Sequence, residues 1–88
     1  MLVQSTPSFD KDISKIKDAL LAARIEKVIR KMQVTDNVFE ISGIKKLSRA
    51  SNAYRIRIAD YRLEFKLINN TIQLIIFAHR KEIYRYFP

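Results

Sequence analysis

The apolar positions of this chain follow two different periods, and the change falls near residue 54. Phe9, Ile13, Ile16 and Leu20 recur at steps of four, three and four, the spacing of one helix stripe. Leu21, Ile25, Val28, Ile29 and Met32 form a second stripe. At about 100° per residue the two stripes are out of phase by roughly 130°, so one straight helix would leave one of them in water. Two helices, or one bent sharply near residues 19–23, bury both. Thr6-Pro7-Ser8 starts the first, with a hydroxyl cap, a proline in the first turn, and Asp10 and Asp12 near the positive end of the dipole. Leu2 and Val3 suit a short strand before it. Residues 34–37 end the second helix, a short strand or turn is expected around 43–48, and residues 48–53 read as a polar loop.

From Tyr54 the period is two. Tyr54, Ile56 and Ile58 alternate with Arg55 and Arg57; Tyr61, Leu63, Phe65 and Leu67 alternate with Arg62, Glu64, Lys66 and Ile68; Ile72, Leu74 and Ile76 alternate with Gln73, Ile75 and Phe77. Asn69-Asn70 suits a two-residue hairpin turn because Asn tolerates positive φ, and Ala59-Asp60 is a poorer turn of the same length. The pattern predicts an antiparallel meander of three strands, followed by a short helix or irregular tail from Arg80 to Phe87. The expected fold is α+β: two N-terminal helices packed on one face of a mostly antiparallel sheet of about four strands, with residues 1–88 forming a single domain.

Two-residue turns also fix which side chains share a face. They set Arg57 opposite Arg62, Arg55 opposite Glu64, Lys66 opposite Gln73, Glu64 opposite Ile75 and Arg62 opposite Phe77. One face then carries Tyr54, Ile56, Leu63, Phe65, Leu67, Ile72, Leu74 and Ile76, and buries against the helices. The other carries Arg55, Arg57, Arg62, Glu64, Lys66, Gln73, Phe77 and, by continued parity, His79.

Composition narrows the chemistry. The 88 residues hold 17 Lys+Arg against 9 Asp+Glu, a net charge of +8, with one His and no Cys. Disulfides and Cys-based zinc sites are excluded, and one His leaves carboxylates to supply nearly every ligand of any other metal site. No metal and no cofactor is expected. No apolar run approaches the roughly 20 residues of a membrane helix, and the N-terminal residues lack the pattern of a signal peptide, so a cytoplasmic location is the expectation. The positive excess suits a polyanionic partner. The kind of cation is more telling: residues 54–88 contain 5 of the 8 arginines but only 2 of the 9 lysines. The planar guanidinium fork matches phosphate, whereas a merely solvated face, partly paired with Glu64, is as well served by lysine.

His79 sits beside Arg80, with Tyr84 one helical turn on. A lone His is more often a packing residue than a catalytic one, and an aromatic near a C-terminus often only anchors the tail. Neighbouring cations, however, disfavour a second charge on His79 and leave a neutral imidazole able to accept a proton. Cleavage of RNA by its own 2′-OH needs a base for that hydroxyl, cations for the charge on phosphorus and an acid for the leaving 5′-oxygen. His, Arg and Tyr can supply all three without a metal.

The runs YRIRIADYRLEF at residues 54–65 and FAHRKEIY at 77–84 closely resemble the RelE/ParE superfamily of toxin–antitoxin toxins, in particular the RelE-like mRNA interferases. The I-K-K-L of residues 44–47 and the S-F-x-K-D of residues 8–12 are similar too, so the resemblance spans nearly the whole chain. It implies a metal-independent endoribonuclease that cuts mRNA in the ribosomal A site, leaving a 2′,3′-cyclic phosphate and a free 5′-hydroxyl, and so inhibits translation. It implies a cognate RelB-like antitoxin that wraps the toxin, blocks its basic face and commonly represses the operon DNA with it. Residue by residue, it places the basic pair of the first meander strand on Arg55 and Arg57, the phosphate-binding arginine on Arg62, the second catalytic arginine on Arg80 and the C-terminal catalytic tyrosine on Tyr84. Lys45 and Lys46 join Arg55, Arg57 and Arg62 as candidate contacts to RNA phosphate. In the best-known members the strand pair are lysines, one of them the proposed base. Arginine stays protonated, so the base falls here to His79, with Tyr84 as runner-up. Ala59 stands where the family usually has Gly, a cost if that backbone needs positive φ. Two other functions share the fold: a ParE-like inhibitor of DNA gyrase, and a catalytically inactive homologue or basic binding module.

Overall fold

A computed structural model of the chain describes residues 1–48 and 50–86, and the side chains of all but 84–86 among them. The elements are β1 (Leu2–Ser5), α1 (Pro7–Ser14), α2 (Ala19–Val34), a 3-10 turn at Val38–Glu40, β2 (Ile44–Lys46), β3 (Ala53–Ile58), β4 (Tyr61–Ile68), β5 (Thr71–His79) and α3 (Arg80–Tyr86). The sheet order is β1-β5-β4-β3-β2. Only β1 runs parallel to its neighbour; the other pairs are antiparallel. Both short strands join the meander, which makes five strands where about four were expected. No helix among the described residues is long and apolar enough to cross a membrane.

Local chemistry explains where the helices begin. The Thr6 hydroxyl accepts from the Phe9 N–H at 3.3 Å and donates to the Leu74 carbonyl at 2.9 Å, so one side chain caps α1 and pins it to β5. The change between the two apolar stripes falls at residues 15–18, earlier than the 19–23 expected. Asp18 makes it without Gly or Pro: its Oδ1 accepts from the N–H groups of Leu20 and Leu21 at 2.9 and 3.2 Å and starts α2. Leu20 therefore belongs to α2 and lies 69% exposed instead of completing the first stripe. Phe9, Leu21, Ile25 and Met32 pack against Ile56, Leu63, Phe65 and Ile72 to form the core on one sheet face.

The β3–β4 register is the one the turn length predicts, with Arg57 opposite Arg62 and Arg55 opposite Glu64. The β4–β5 register starts as predicted, with Lys66 opposite Gln73, and then shifts at a bulge between Glu64 and Phe65. Leu74 faces Phe65, and Ile76 rather than Ile75 faces Glu64. The extra residue reverses the parity of the rest of β5. Phe77 and His79 consequently do not share the face of Arg55, Arg57 and Arg62, contrary to the alternation argument. Phe77 opposes Leu63 and is buried in the core, Ala78 opposes Arg62, and His79 opposes Tyr61. Ile76 moves the other way, to the side of Glu64.

Candidate active site

On the sheet face away from α1 and α2, pairing lines up Lys45, Arg55 and Glu64 in one row and Arg57 and Arg62 in the next. These cations are not equivalent. The Nε and Nη2 of Arg55 both donate to Glu64 Oε2, at 3.2 and 2.9 Å. The two side chains keep only 14% and 4% of their exposure, so this is a buried ion pair whose charge is matched inside the protein. Arg57 is exposed. Arg62 is half-buried, and its Nη1 folds back to donate to the Tyr61 carbonyl at 3.0 Å. Lys45 and Lys46 are exposed on the edge strand, but Lys46 opposes Tyr54 and points to the helix side.

His79 stands on the other side, in an aromatic group with Tyr61 and Phe77. Tyr61 stacks on Phe77 with ring centres 5.0 Å apart, and His79 meets Tyr61 edge-on at 5.3 Å. The edge of β5 here lacks a strand partner, because β1 pairs only as far as Leu74. Asp12 replaces it: its Oδ2 accepts the Phe77 N–H at 3.1 Å, which satisfies an edge donor and ties α1 to the end of β5. Between them lies an open cavity of about 490 Å³ lined by Lys11, Asp12, Lys15, Tyr61, His79 and Glu82, among others. By pattern alone Asp12 had only a helix-dipole role; its service to a strand edge depends on the path of α1.

The strand ends in a second junction. His79 Nδ1 accepts from the Lys81 N–H at 3.2 Å, so the imidazole caps the start of α3. A neutral ring that accepts at Nδ1 carries its proton on Nε2, the nitrogen left to meet a substrate. The Arg80 N–H donates to the Asp60 carbonyl at 2.8 Å and anchors α3 on the β3–β4 turn. Arg62, His79 and Arg80 thus meet at one end of the sheet, around Ala59-Asp60, although they approach from different sides. Tyr84 lies in α3, and its side chain is outside the described residues. The candidate site is therefore an end of the sheet and its turn, with a polar cavity on the His79 side and the exposed Arg57 on the other face.

No family model matches the chain. It is 33% identical over 89 residues to toxin RelE3 of Methanocaldococcus jannaschii, and the match covers 100% of both chains. The chain belongs to the RelE family of toxins. The toxins of this family are components of toxin–antitoxin systems. The crystal structure of a RelB–RelE antitoxin–toxin complex from Methanococcus jannaschii contains a chain that superposes with a TM-score of 0.84 at 31% identity, covering 100% of both. More distant RelE-fold chains come from the RelBE2 toxin–antitoxin complex of Mycobacterium tuberculosis, with a TM-score of 0.67 at 22% identity over 90% of this chain and 96% of that one. The DinJ–YafQ complex of E. coli gives 0.64 at 12% identity over 93% and 96%. These two show the shared fold.

Proposed function

We propose that this RelE-family toxin is a ribosome-dependent endoribonuclease that cuts mRNA in the A site without metal or cofactor. In the reaction the 2′-oxygen bonds to phosphorus, the bond from phosphorus to the 5′-oxygen breaks, and a proton passes to the leaving oxygen. The observation that supports this reading is that the backbone of Arg62, His79 and Arg80 converges beside the β3–β4 turn in a chain of this family. Arg62 and Arg80 supply charge to the phosphorane, and Arg57 with Lys45 tracks the RNA backbone, while Lys46 points to the other side. Arg55 serves the site through Glu64 as a support, because its charge is already matched. His79, neutral while its Nδ1 accepts from Lys81, offers its Nε2–H as a hydrogen-bond donor to the phosphate; the Tyr84 phenol protonates the 5′-oxygen, and the proton of the 2′-OH passes to water. A cognate RelB-like antitoxin holds the toxin inactive, and the pair represses its own operon.

The test is a purified translation system with primer extension on the mRNA. Wild-type toxin cuts ribosome-bound message, and Arg62→Ala and Arg80→Ala each slow cutting about 100-fold or more. His79→Ala and Tyr84→Phe each slow it too, and a substrate with sulfur as the 5′ leaving atom, which needs no proton, restores the rate of Tyr84→Phe alone. Intact message together with failing DNA supercoiling would replace this reading with gyrase inhibition.

A further inference from the structure

Among the described residues, β1 covers the outer edge of β5 only as far as the pairing of Ser5 with Leu74, while β5 runs on to His79. The chain leaves β1 as α1, and α1 keeps to the same edge. Thr6 meets the Leu74 carbonyl twice, with its N–H at 3.2 Å and its hydroxyl at 2.9 Å. Asp12 then accepts the Phe77 N–H at 3.1 Å. The spacing is matched: from Thr6 to Asp12 a helix rises about 9 Å, and from Leu74 to Phe77 a strand advances about 10 Å. A helix laid along the strand therefore takes over its edge, with a carboxylate oxygen where a neighbouring strand would set a backbone carbonyl.

The candidate site hangs from that bond. Phe77 is 3% exposed and stacks on Tyr61, and His79 meets the same Tyr61 edge-on. Along the backbone, His79 follows two residues later, its Nδ1 accepting from the Lys81 N–H, and Arg80 is anchored on the Asp60 carbonyl. The place of Phe77 is thus passed to His79 twice, once through the strand and once through the rings. The cavity that Asp12 and His79 both line is open, so water can meet the Phe77 N–H once the carboxylate is gone. Such a loss frays the strand end without unfolding the chain. We propose that Asp12 is a positioning residue of the ribonuclease site: by accepting from Phe77 it fixes the end of β5, and with it the His79 ring and the start of α3. The proposal rests on the ribonuclease reading above and adds what holds the reacting end of the sheet in place. The acceptor oxygen matters here, and the negative charge does not.

Purified wild type, Asp12→Ala, Asp12→Asn and Asp12→Glu are compared in the translation system at rising concentrations of ribosome-bound message, well below their melting temperatures. Asp12→Ala lowers the rate at saturation about 10- to 100-fold and moves the half-saturating concentration by no more than about twofold. Asp12→Asn keeps an oxygen at the same reach and stays within about threefold of wild type, whereas Asp12→Glu, one methylene too long, loses about tenfold. The pH profile of Asp12→Asn matches that of wild type. Hydrogen exchange of the Lys81 amide, followed by NMR, reads the same device without any cutting, and it quickens about tenfold in Asp12→Ala. Wild-type rates and Lys81 protection in Asp12→Ala would overturn the proposal. So would an Asp12→Asn variant no faster than Asp12→Glu, a comparison that holds even if Asp12→Ala does not fold. If wild-type toxin leaves mRNA uncut while Lys81 protection still depends on Asp12, the ribonuclease reading fails and the control of the strand end by Asp12 stands.

Discussion

The two hairpins of the sheet, β3–β4 and β4–β5, have loops of equal length yet obey the alternation of the sequence differently. The first is paired one-to-one from its turn to its far end. The second gains a residue at Glu64/Phe65 and reverses every face beyond it. The cause lies in the side chains. Arg55 and Arg57 alternate strictly with Tyr54, Ile56 and Ile58, so a slip would bury charge. In β5 the run Leu74-Ile75-Ile76-Phe77 is apolar throughout and offers no such veto. Packing then decides, and the bulge lets both Leu74 and Phe77 face the core while Ile76 is set against Glu64. Alternation reports a face only where polar residues enforce it, and here the failure fell on the segment that ends in His79.

The largest effect should come from swapping sides at that bulge. Phe77 is 3% exposed and Ile76 is half-buried. Phe77→Ala should cost about 3–5 kcal/mol and Ile76→Ala about 1–2. The unbulged register reverses the order. Urea unfolding of the two variants decides between them, since the midpoint shift at constant slope reports stability alone.

The pair beside the bulge comes next. Glu64→Gln removes the Glu64 charge from beside the largely buried Arg55 guanidinium, which should cost about 3 kcal/mol, near the low end for such pairs because Arg55 keeps some exposure. Arg55→Met/Glu64→Leu should recover most of that loss, since well-packed apolar residues replace a buried pair at little net cost. A double variant no more stable than the single one would show that the pair contributes more than its own mutual neutralisation.

The same contrast explains how much of the molecule was legible in its sequence. The Arg55–Glu64 pairing followed from alternation and one turn length, and Thr6-Pro7 marked α1 by its cap. Asp18 was equally visible as a cap, but Leu20 continued an apolar stripe and drew the boundary too late. The position of Arg62 could not be read, because folding its guanidinium onto a carbonyl of its own turn is a rotamer choice rather than a matter of pattern. The faces of Phe77 and His79 depend on a bulge that no Gly or Pro announces, and with them went the expectation that His79 borders the arginine face. Its imidazole was also expected to be free to accept a proton. Capping α3 takes up that lone pair, a consequence of where β5 stops.

The smallest effect concerns the turns themselves. Asn69 and Asn70 both have positive φ, at 50° and 60°, the pattern of a type I′ turn, while in the other hairpin only Ala59 does, at 53°. Asn tolerates this conformation through its short polar side chain; Ala has no such compensation and costs about 1–2 kcal/mol there. Gly removes that cost but brings about 0.5–1 kcal/mol of extra freedom in the unfolded chain. Ala59→Gly should therefore stabilise the protein by about 0.5–1 kcal/mol, a rise in melting temperature of roughly 3–6 °C for a domain of this size. Asn70→Gly should change it by no more than a few tenths. A melt that leaves Ala59→Gly no more stable than wild type would mean that the turn carries no strain. Gly at the family's position would then answer to the close approach of a ligand at the Arg80 end of the sheet rather than to backbone geometry.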